Sequence, residues 1–262
     1  MTERLGAWVY GVTRPFRPER LALLTGVDRE PVRSVEASGL AAVVGSVDLE
    51  DFGEEALRRN LEDIDWLEAC ARAHHRVLEA VVQFAPVIPM RLAVVFHDDS
   101  GVRAMLENHR EGISAALRRV DGRFEWGVKA YAESQRIEPP PDPPESTSEQ
   151  GRGTAYLLKR RAQLSAREQA RADVAQAAED VHAALAELAT ASRRHPPQDR
   201  RLTRQASAMV LNGAYLLDEE RTDEFVAVAT DLDDRHPELR LELTGPWPPY
   251  SFATLEDEGP SA

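Results

Sequence analysis

The sequence has a single cysteine and no long apolar run. Cys70 is alone among 262 residues, which excludes an intramolecular disulfide and a thiolate zinc cluster. No apolar stretch approaches the ~20 residues that cross a bilayer. The opening MTERLGAWVYG lacks the basic region and apolar core of a secretory signal. The sequence therefore predicts a cytoplasmic protein that does not act in a lipid membrane.

Positive charge is also scarce relative to negative charge. Lysine and arginine together number 32, against 45 aspartates and glutamates, so the formal net charge is −13. Neither half of the chain has the basic excess that binding to a phosphate backbone requires. We therefore expect no nucleic-acid partner.

The motifs of catalytic and cofactor-binding sites are missing. Gly151-Arg-Gly153-Thr lacks the lysine and the preceding strand of a phosphate-binding loop. The sequence has no G-x-S-x-G elbow, and no dinucleotide fingerprint follows its first strand. His74 and His75 are neighbours on a predicted helix and point about 100° apart, so they cannot chelate one ion. We expect no enzymatic activity, no metal and no cofactor.

Three other reactive groups have structural explanations. His97-Asp98-Asp99-Ser100 predicts a strand-to-helix turn in which Asp and Ser cap the helix. Asp231–His236 is typical of a solvated helix end whose charges pair along the helix. Cys70 follows Trp66 and Leu67 and is interpreted as a small buried apolar residue.

Residues 1–120 predict an N-terminal α+β domain. Strands are indicated by short β-rich runs, and helices by apolar residues that recur every three to four positions. Pro86 ends the long helix, because the residue before a proline avoids helical backbone. The predicted elements are strands at Leu5–Val12, Val32–Glu36 and Leu40–Val47, a helix at Glu54–Phe84, a buried strand at Val87–Phe96, and a helix from Asp99 or Ser100 to about Val120.

Residues 121–262 predict a second domain with the order β-α-β-β-α-β, which is that of a ferredoxin-like fold. A possible capping box at Ser165–Glu168 leaves open whether the first helical region is one helix or several. Asn212-Gly213 predicts a hairpin turn. The predicted elements are a strand at Phe124–Ala132, a helical extension at 154–191, a hairpin of Leu202–Leu211 with Ala214–Leu217, a helix at Thr222–Arg235 and a strand at Leu239–Thr244.

Two proline-rich segments interrupt this pattern. Residues 136–153 contain no large apolar side chain besides Ile137, so they predict an exposed loop rather than a docking peptide. The C-terminal tail, 246–262, begins with three prolines among three aromatic residues. Because proline stiffens the backbone, Trp247, Tyr250 and Phe252 should project from an extended tail that packs on the body or binds a partner.

Five short segments, spread in order along nearly the whole chain, carry a resemblance. They are the opening strand ending in Tyr10-Gly11, the run Pro86–Arg91 leading to Val95-Phe96, Glu125–Lys129, Asn212–Leu216, and Leu243–Phe252. The last segment is the most specific. Together they resemble the gas vesicle protein F/L (GvpF/GvpL) family, and the sequence leaves the choice between F and L open. The residues that mark the resemblance are Pro86, Pro89, Arg91, Trp126, Gly213, Tyr215, Gly245, Pro246, Trp247, Pro249, Tyr250 and Phe252.

The resemblance implies an α+β fold of two domains. The second would be a modified ferredoxin-like fold with extra helices and a C-terminal tail against both domains. It also implies an accessory or minor structural protein of gas vesicle assembly. The implied partners are the hydrophobic major shell protein, which it would keep soluble or nucleate into a shell, and other gas vesicle accessory proteins. The marking residues would then have structural or interaction roles.

Other functions remain open at this point. Ferredoxin-like domains often hold ligands, so the chain could be a small-molecule-binding protein or an enzyme, with His97 or His236 lining a pocket. A third possibility is a purely architectural component of the finished vesicle. If the chain binds the shell protein, an exposed sheet edge or the helical region 153–191 is the expected docking face.

Overall fold

The computed structural model of the chain describes residues 5–133, 149–197 and 207–253. The predicted loop residues 136–148, the strand start at 202–206 and the end of the tail at 254–262 lie outside these ranges. The described residues form two compact units, one within Met1–Glu125 and Gly245–Ala262 and the other within Trp126–Thr244. The sequence predicts a boundary at 120/121 and a tail in the second domain, whereas the contacts group the tail with the first unit.

The first unit is built on a sheet in the order β2-β3-β1-β4, with β5 also pairing with β1. β1 lies centrally and is buried almost throughout, as its continuous apolar sequence requires. It pairs antiparallel with β3, and a bulge interrupts the register between Val9 and Gly11. The strands are β1 (Leu5–Thr13), β2 (Val32–Ala37), β3 (Leu40–Asp48), β4 (Val87–Pro89) and β5 (Val95–Phe96).

Helices pack on this sheet through apolar stripes. The side chain of Asp63 accepts hydrogen bonds from the amides of Asp65 and Trp66 and so begins α3. In α4 the capping residue is Asp98, not Asp99 or Ser100 as predicted. The helices are α1 (Leu49–Phe52), α2 (Glu54–Asn60), α3 (Ile64–Val82), α4 (Asp99–Asn108) and α5 (Arg110–Val120).

Three predicted elements of this unit are divided in the structure. The single helix predicted at Glu54–Phe84 is two helices, because Asp63 caps a new one. The single strand predicted at Val87–Phe96 is β4 and β5, separated where Ala93 adopts a φ of 65°. The helix predicted to reach Val120 is divided at His109 into α4 and α5. In each case a local backbone break interrupts a continuous apolar pattern.

The second unit has the predicted order β-α-β-β-α-β, although its second strand is Ala191–Arg194, where the sequence predicts no strand. Its sheet has the order β7-β8-β6-β9, so the first and third strands of the unit are central. The helical region is one continuous helix, α6, without a restart at Ser165. The elements are β6 (Arg123–Ala132), α6 (Glu149–Leu188), β7 (Ala191–Arg194), β8 (Met209–Asp218), α7 (Thr222–Arg235) and β9 (Leu239–Trp247).

The hairpin predicted around Asn212-Gly213 is wrong. Both residues lie inside β8, which pairs antiparallel with β7 and places Arg194 opposite Gly213. Gly213 is required for a different reason: a Cβ atom at this position would lie 2.7 Å from the ring of Tyr215. A sequence pair typical of a turn therefore marks a close approach within a strand.

Candidate functional site

The residues that mark the family resemblance fall into separate groups. Those around β4 and in the tail belong to the first unit, and those in β6 and β8 belong to the second. Pro86 and Pro89 flank the buried Val87 and Ile88, while Arg91 is exposed. The amide of Met90 donates to the carbonyl of Tyr10 at 2.9 Å. This segment therefore extends the pairing of β1 and does not form a reactive site.

In the second unit, Gly213, Tyr215 and Trp126 contribute to one core. Tyr215 is fully buried, and its hydroxyl lies 2.9 Å from Nδ1 of His182 on α6. Its ring centroid lies 5.5 Å from that of Phe225, which in turn lies 6.2 Å from that of Trp126. Tyr215 and Trp126 thus contact side chains of both helices of the unit, His182 of α6 and Phe225 of α7.

The tail is held by hydrogen bonds within the first unit. The largely buried carboxylate of Glu125 accepts from both the amide and the hydroxyl of Ser251, each at 2.6 Å. The guanidinium of Arg119 donates to the carbonyl of Phe252 at 2.8 Å. Pro249 and Phe252 are buried. Two charged side chains and two apolar contacts therefore attach the tail at a defined place.

Two aromatic residues of the tail pack around His75 on α3. The ring centroids of Trp247 and His75 lie 5.1 Å apart, and those of Tyr250 and His75 lie 6.1 Å apart with nearly parallel planes. The hydroxyl of Tyr250 lies 3.1 Å from Nδ1 of His75. Nε2 of His75 lies 3.1 Å from a carboxylate oxygen of Glu79. This cluster of Trp247, Tyr250, His75 and Glu79 is called the tail cluster below.

Electrostatics within the tail cluster favour the neutral phenol. Burial raises the pKa of Tyr250 above its ordinary value, and the negative charges of Glu79 and Glu125 raise it further. The phenol therefore stays protonated at neutral pH, and the local potential is negative.

His74 is buried in the first unit. The indole Nε1 of Trp8 donates to His74 Nδ1 at 3.0 Å. Burial lowers the pKa of His74 to about 4, so the ring is neutral at pH 7 with its proton on Nε2. Its Nδ1 atom accepts a hydrogen bond from the buried indole.

The other candidates for chemistry do not converge. His97 is exposed, and His236 lies 3.2 Å from Glu238. Within the described ranges, no three histidine, cysteine or acidic side chains are placed to hold a metal ion. A groove of about 750 Å³ in the second unit includes Glu238, Arg167 and Arg171 but neither His97 nor His236. This groove therefore does not bring either histidine into a site.

Comparison with known sequences decides the family. A sequence model of the family described as "Gas vesicle synthesis protein GvpL/GvpF" matches residues 6–254. The chain belongs to this family. Membership gives it a role in gas vesicle assembly, as the resemblance implied.

Individual members of the family agree with this assignment. The chain is 41% identical over 260 residues to gas vesicle protein L of Streptomyces sp. (strain CB03234), covering 98% of this chain and 96% of the relative. It is 30% identical over 258 residues to gas vesicle protein F of the same strain, covering 95% and 99%.

Solved structures support the fold. The crystal structure of the gas vesicle protein GvpF from Anabaena sp. PCC7120 matches with a TM-score of 0.66 at 21% identity, covering 96% of this chain and 97% of that one. The similarity confirms the α+β fold class. Among the described helices of this family member, none combines the length and hydropathy needed to cross a bilayer.

Several residues that shape these sites were not found from the sequence. His75, Glu79 and Glu125 hold or surround the tail, and His182 orients Tyr215. For Glu125 the sequence does carry a local signal, because an acidic residue next to Trp126 in an apolar strand indicates a buried polar contact. The contacts of His75 with Tyr250 and of His182 with Tyr215 join residues that lie 175 and 33 positions apart in sequence.

Proposed function

We propose that this protein is a gas vesicle assembly factor that binds the hydrophobic major shell protein, keeping it soluble or nucleating the shell. In this proposal it acts in the cytoplasm together with other gas vesicle accessory proteins and is not an enzyme. Family membership supports the general role. The observation that supports the binding step is the exposed first half of α6.

The two halves of α6 differ in what covers them. In the second half, Ala178, Val181 and Leu185 are buried in the core of the unit. In the first half, Leu158 and Leu164 remain 62% and 51% exposed. Each of these leucines is therefore more than half exposed. An α-helix of 40 residues is about 60 Å long at 1.5 Å per residue, so a substantial length is available to a partner.

The face of α6 that packs in the core changes from apolar to arginine-containing residues at Arg171. Residues spaced alternately three and four apart share one face of a helix. Going back along the chain from Leu185, this face is apolar as far as Val174 and then carries Arg171 and Arg167 beside Leu164. Arginine covers apolar surface with its aliphatic stem while its charge stays in water. The first half therefore suits an apolar partner whose edges are polar or acidic.

The net charge of the chain fits this task. A shell subunit that builds a wall against gas must expose apolar surface before it assembles, and exposed apolar patches cause aggregation. A bound partner with a net charge of −13 adds electrostatic repulsion between complexes. The complex should therefore stay soluble where the shell protein alone does not.

The test is co-expression of the tagged full chain with the major shell protein, scored by soluble complex after pull-down. The variant Leu164→Glu should lose most of the complex, because it places a carboxylate on the face of α6 described above. Leu23→Glu is the matched control, since Leu23 is 96% exposed in the first unit. Equal capture by both variants would reject α6 as the docking face. Absence of any soluble complex with the unaltered chain would reject the binding proposal.

A purely architectural role makes a different prediction about finished vesicles. Vesicles washed with urea should lose an assembly factor but retain a wall component. Retention at the level of the shell protein would therefore replace the assembly-factor proposal with the architectural one.

A further inference from the structure

The tail buries some of its apolar side chains and leaves two aromatic rings at the surface. Pro248, Pro249 and Phe252 are buried. Trp247 and Tyr250 remain 36% and 39% exposed. Docking of the tail thus relies on its prolines, Phe252 and polar contacts, and it does not require the outer surfaces of these two rings.

The two rings are held in fixed positions. Both pack against the imidazole of His75, with centroid distances of 5.1 and 6.1 Å. The Tyr250 hydroxyl forms a hydrogen bond with His75 Nδ1, and the carboxylate of Glu79 contacts Nε2 of the same imidazole ring. Side chains that are already ordered lose little entropy when a partner binds. Exposed tryptophan and tyrosine in such positions are typical of the residues that dominate binding energy at protein interfaces.

The charges around these rings favour a cation. The carboxylate of Glu79 is part of the tail cluster. A second carboxylate, that of Glu125, accepts a hydrogen bond from Ser251, the residue after Tyr250. Two arginines of this unit have acceptors of their own: Arg72 pairs with Glu68, and Arg119 donates to the carbonyl of Phe252. Aromatic faces attract guanidinium and ammonium groups, with tryptophan the most effective. An acidic residue beside two exposed ring faces is a suitable surface for an arginine or lysine side chain.

We propose that Trp247 and Tyr250 anchor an interface with a partner protein and accept an arginine- or lysine-bearing segment over their exposed faces, with Glu79 as counter-charge. The interface belongs to the first unit and uses none of the α6 residues. It therefore does not depend on whether α6 binds the shell protein.

The experiment uses the full chain and two fluorescently labelled amphipathic peptides of equal length, one alternating leucine with arginine and one with glutamate in place of arginine. Fluorescence anisotropy gives the Kd of each. The ring-removing variants are Trp247→Leu and Tyr250→Leu, and the ring-retaining variants are Trp247→Phe and Tyr250→Phe. Glu79→Gln removes the counter-charge, and Glu62→Gln makes the same charge change at an exposed position elsewhere in the unit.

We expect the unaltered chain to bind the arginine peptide and not the glutamate peptide. Trp247→Leu should weaken binding about five- to tenfold, while Trp247→Phe should retain most of it, because only the first variant removes the aromatic face that attracts the cation. Glu79→Gln should weaken binding more than Glu62→Gln. Thermal unfolding and hydrogen exchange of the tail, measured on each variant, show whether the tail stays docked.

Three results would overturn the proposal. Equal binding of both peptides would indicate apolar docking alone. Equal binding by Trp247→Leu and the unaltered chain would indicate attraction by net charge alone. If Trp247→Leu releases the tail, its loss of binding is not informative, and the test rests on Trp247→Phe and Tyr250→Phe. Loss of binding in both of these variants, with the tail still docked, would show that the aromatic faces are not the contact.

Discussion

The ring of Tyr215 lies against the backbone of Gly213, two residues earlier on the same face of β8. A Cβ atom at position 213 would lie 2.7 Å from both Cε2 and Oη of that ring. The ring cannot move away easily, because it is fully buried and its hydroxyl forms a hydrogen bond with His182. This contact explains why a glycine occupies the middle of a core strand.

Gly213→Ala should therefore destabilise the second unit. Overpacking of a buried site typically costs about 1–3 kcal/mol, and we expect a loss of this size in the free energy of unfolding, measured by urea denaturation. Gly127→Ala is the matched control: its Cβ would meet the hydroxyl of Thr244 at 2.7 Å, which belongs to an exposed side chain that can rotate. Equal losses for the two variants would contradict the role assigned to the Tyr215 ring.

Tyr215→Phe tests the second constraint on that ring. The substitution removes the hydrogen bond to His182 but keeps the packing, so we expect a loss of about 0.5–1.5 kcal/mol. His182→Phe in the Tyr215→Phe background should then cost less than His182→Phe alone, since their shared contact is already gone. Additive losses in this double-mutant cycle would show that the two side chains do not interact.

The buried His74 predicts a pH-dependent stability of the first unit. Its pKa is lowered by burial from 6.5 to about 4, so the unfolded chain binds the proton more readily between these values. Burial of the neutral ring therefore does not lower the free energy of unfolding above pH 6.5. As the pH falls from 6.5 towards 4, protonation of the unfolded chain lowers that free energy by about 3 kcal/mol, at 1.36 kcal/mol per pH unit.

Urea denaturation at pH 7.5, 6 and 5 measures this dependence. His74→Gln should flatten the decline in the free energy of unfolding, whatever its own effect at pH 7.5. The exposed His97 provides the control, and His97→Gln should leave the slope unchanged. A decline in His74→Gln as steep as in the unaltered chain would rule out His74 as its source.

Glu125 should control the docking of the tail. It accepts two hydrogen bonds from Ser251 while largely buried, and bonds to a charged group contribute about 1.5–3 kcal/mol. Glu125→Gln should increase the hydrogen-exchange rate of the tail amides more than Ser251→Ala does, because the latter removes one donor and keeps the amide contact. Unchanged exchange in Glu125→Gln would mean that the buried prolines and Phe252 hold the tail without it.

Cys70 provides a chemical probe of the same unit. The thiol is buried, and burial together with the nearby charge of Asp28 raises its pKa to about 11. Because the thiolate is the reactive form, the native protein should react with a thiol reagent at pH 8 far more slowly than the urea-unfolded protein. Comparable rates in the two states would show that Cys70 is accessible in the native fold.

Much of the fold follows from local sequence patterns. The strands at residues 5–13 and 40–48 and the helix at 222–235 were predicted almost to their ends, because apolar periodicity and the positions of glycine and proline act within one element. The order β-α-β-β-α-β was predicted with its second strand in the wrong place, because the four residues of β7, Ala-Ser-Arg-Arg, show no apolar alternation. The five signature segments, of which the tail run is the most specific, indicated the family for the same reason: the residues of each segment are adjacent in sequence.

Only the tertiary structure decided which segments meet. Asn212-Gly213 has the sequence of a turn, yet pairing with β7 and the ring of Tyr215 keep it in a strand. Nothing near His75 in sequence indicates that Tyr250, 175 residues later, will bond to it. Such contacts are not visible in local periodicity, because they arise from the packing of whole elements around a shared core. The sequence by itself determined the elements and the family, and the packing determined the sites.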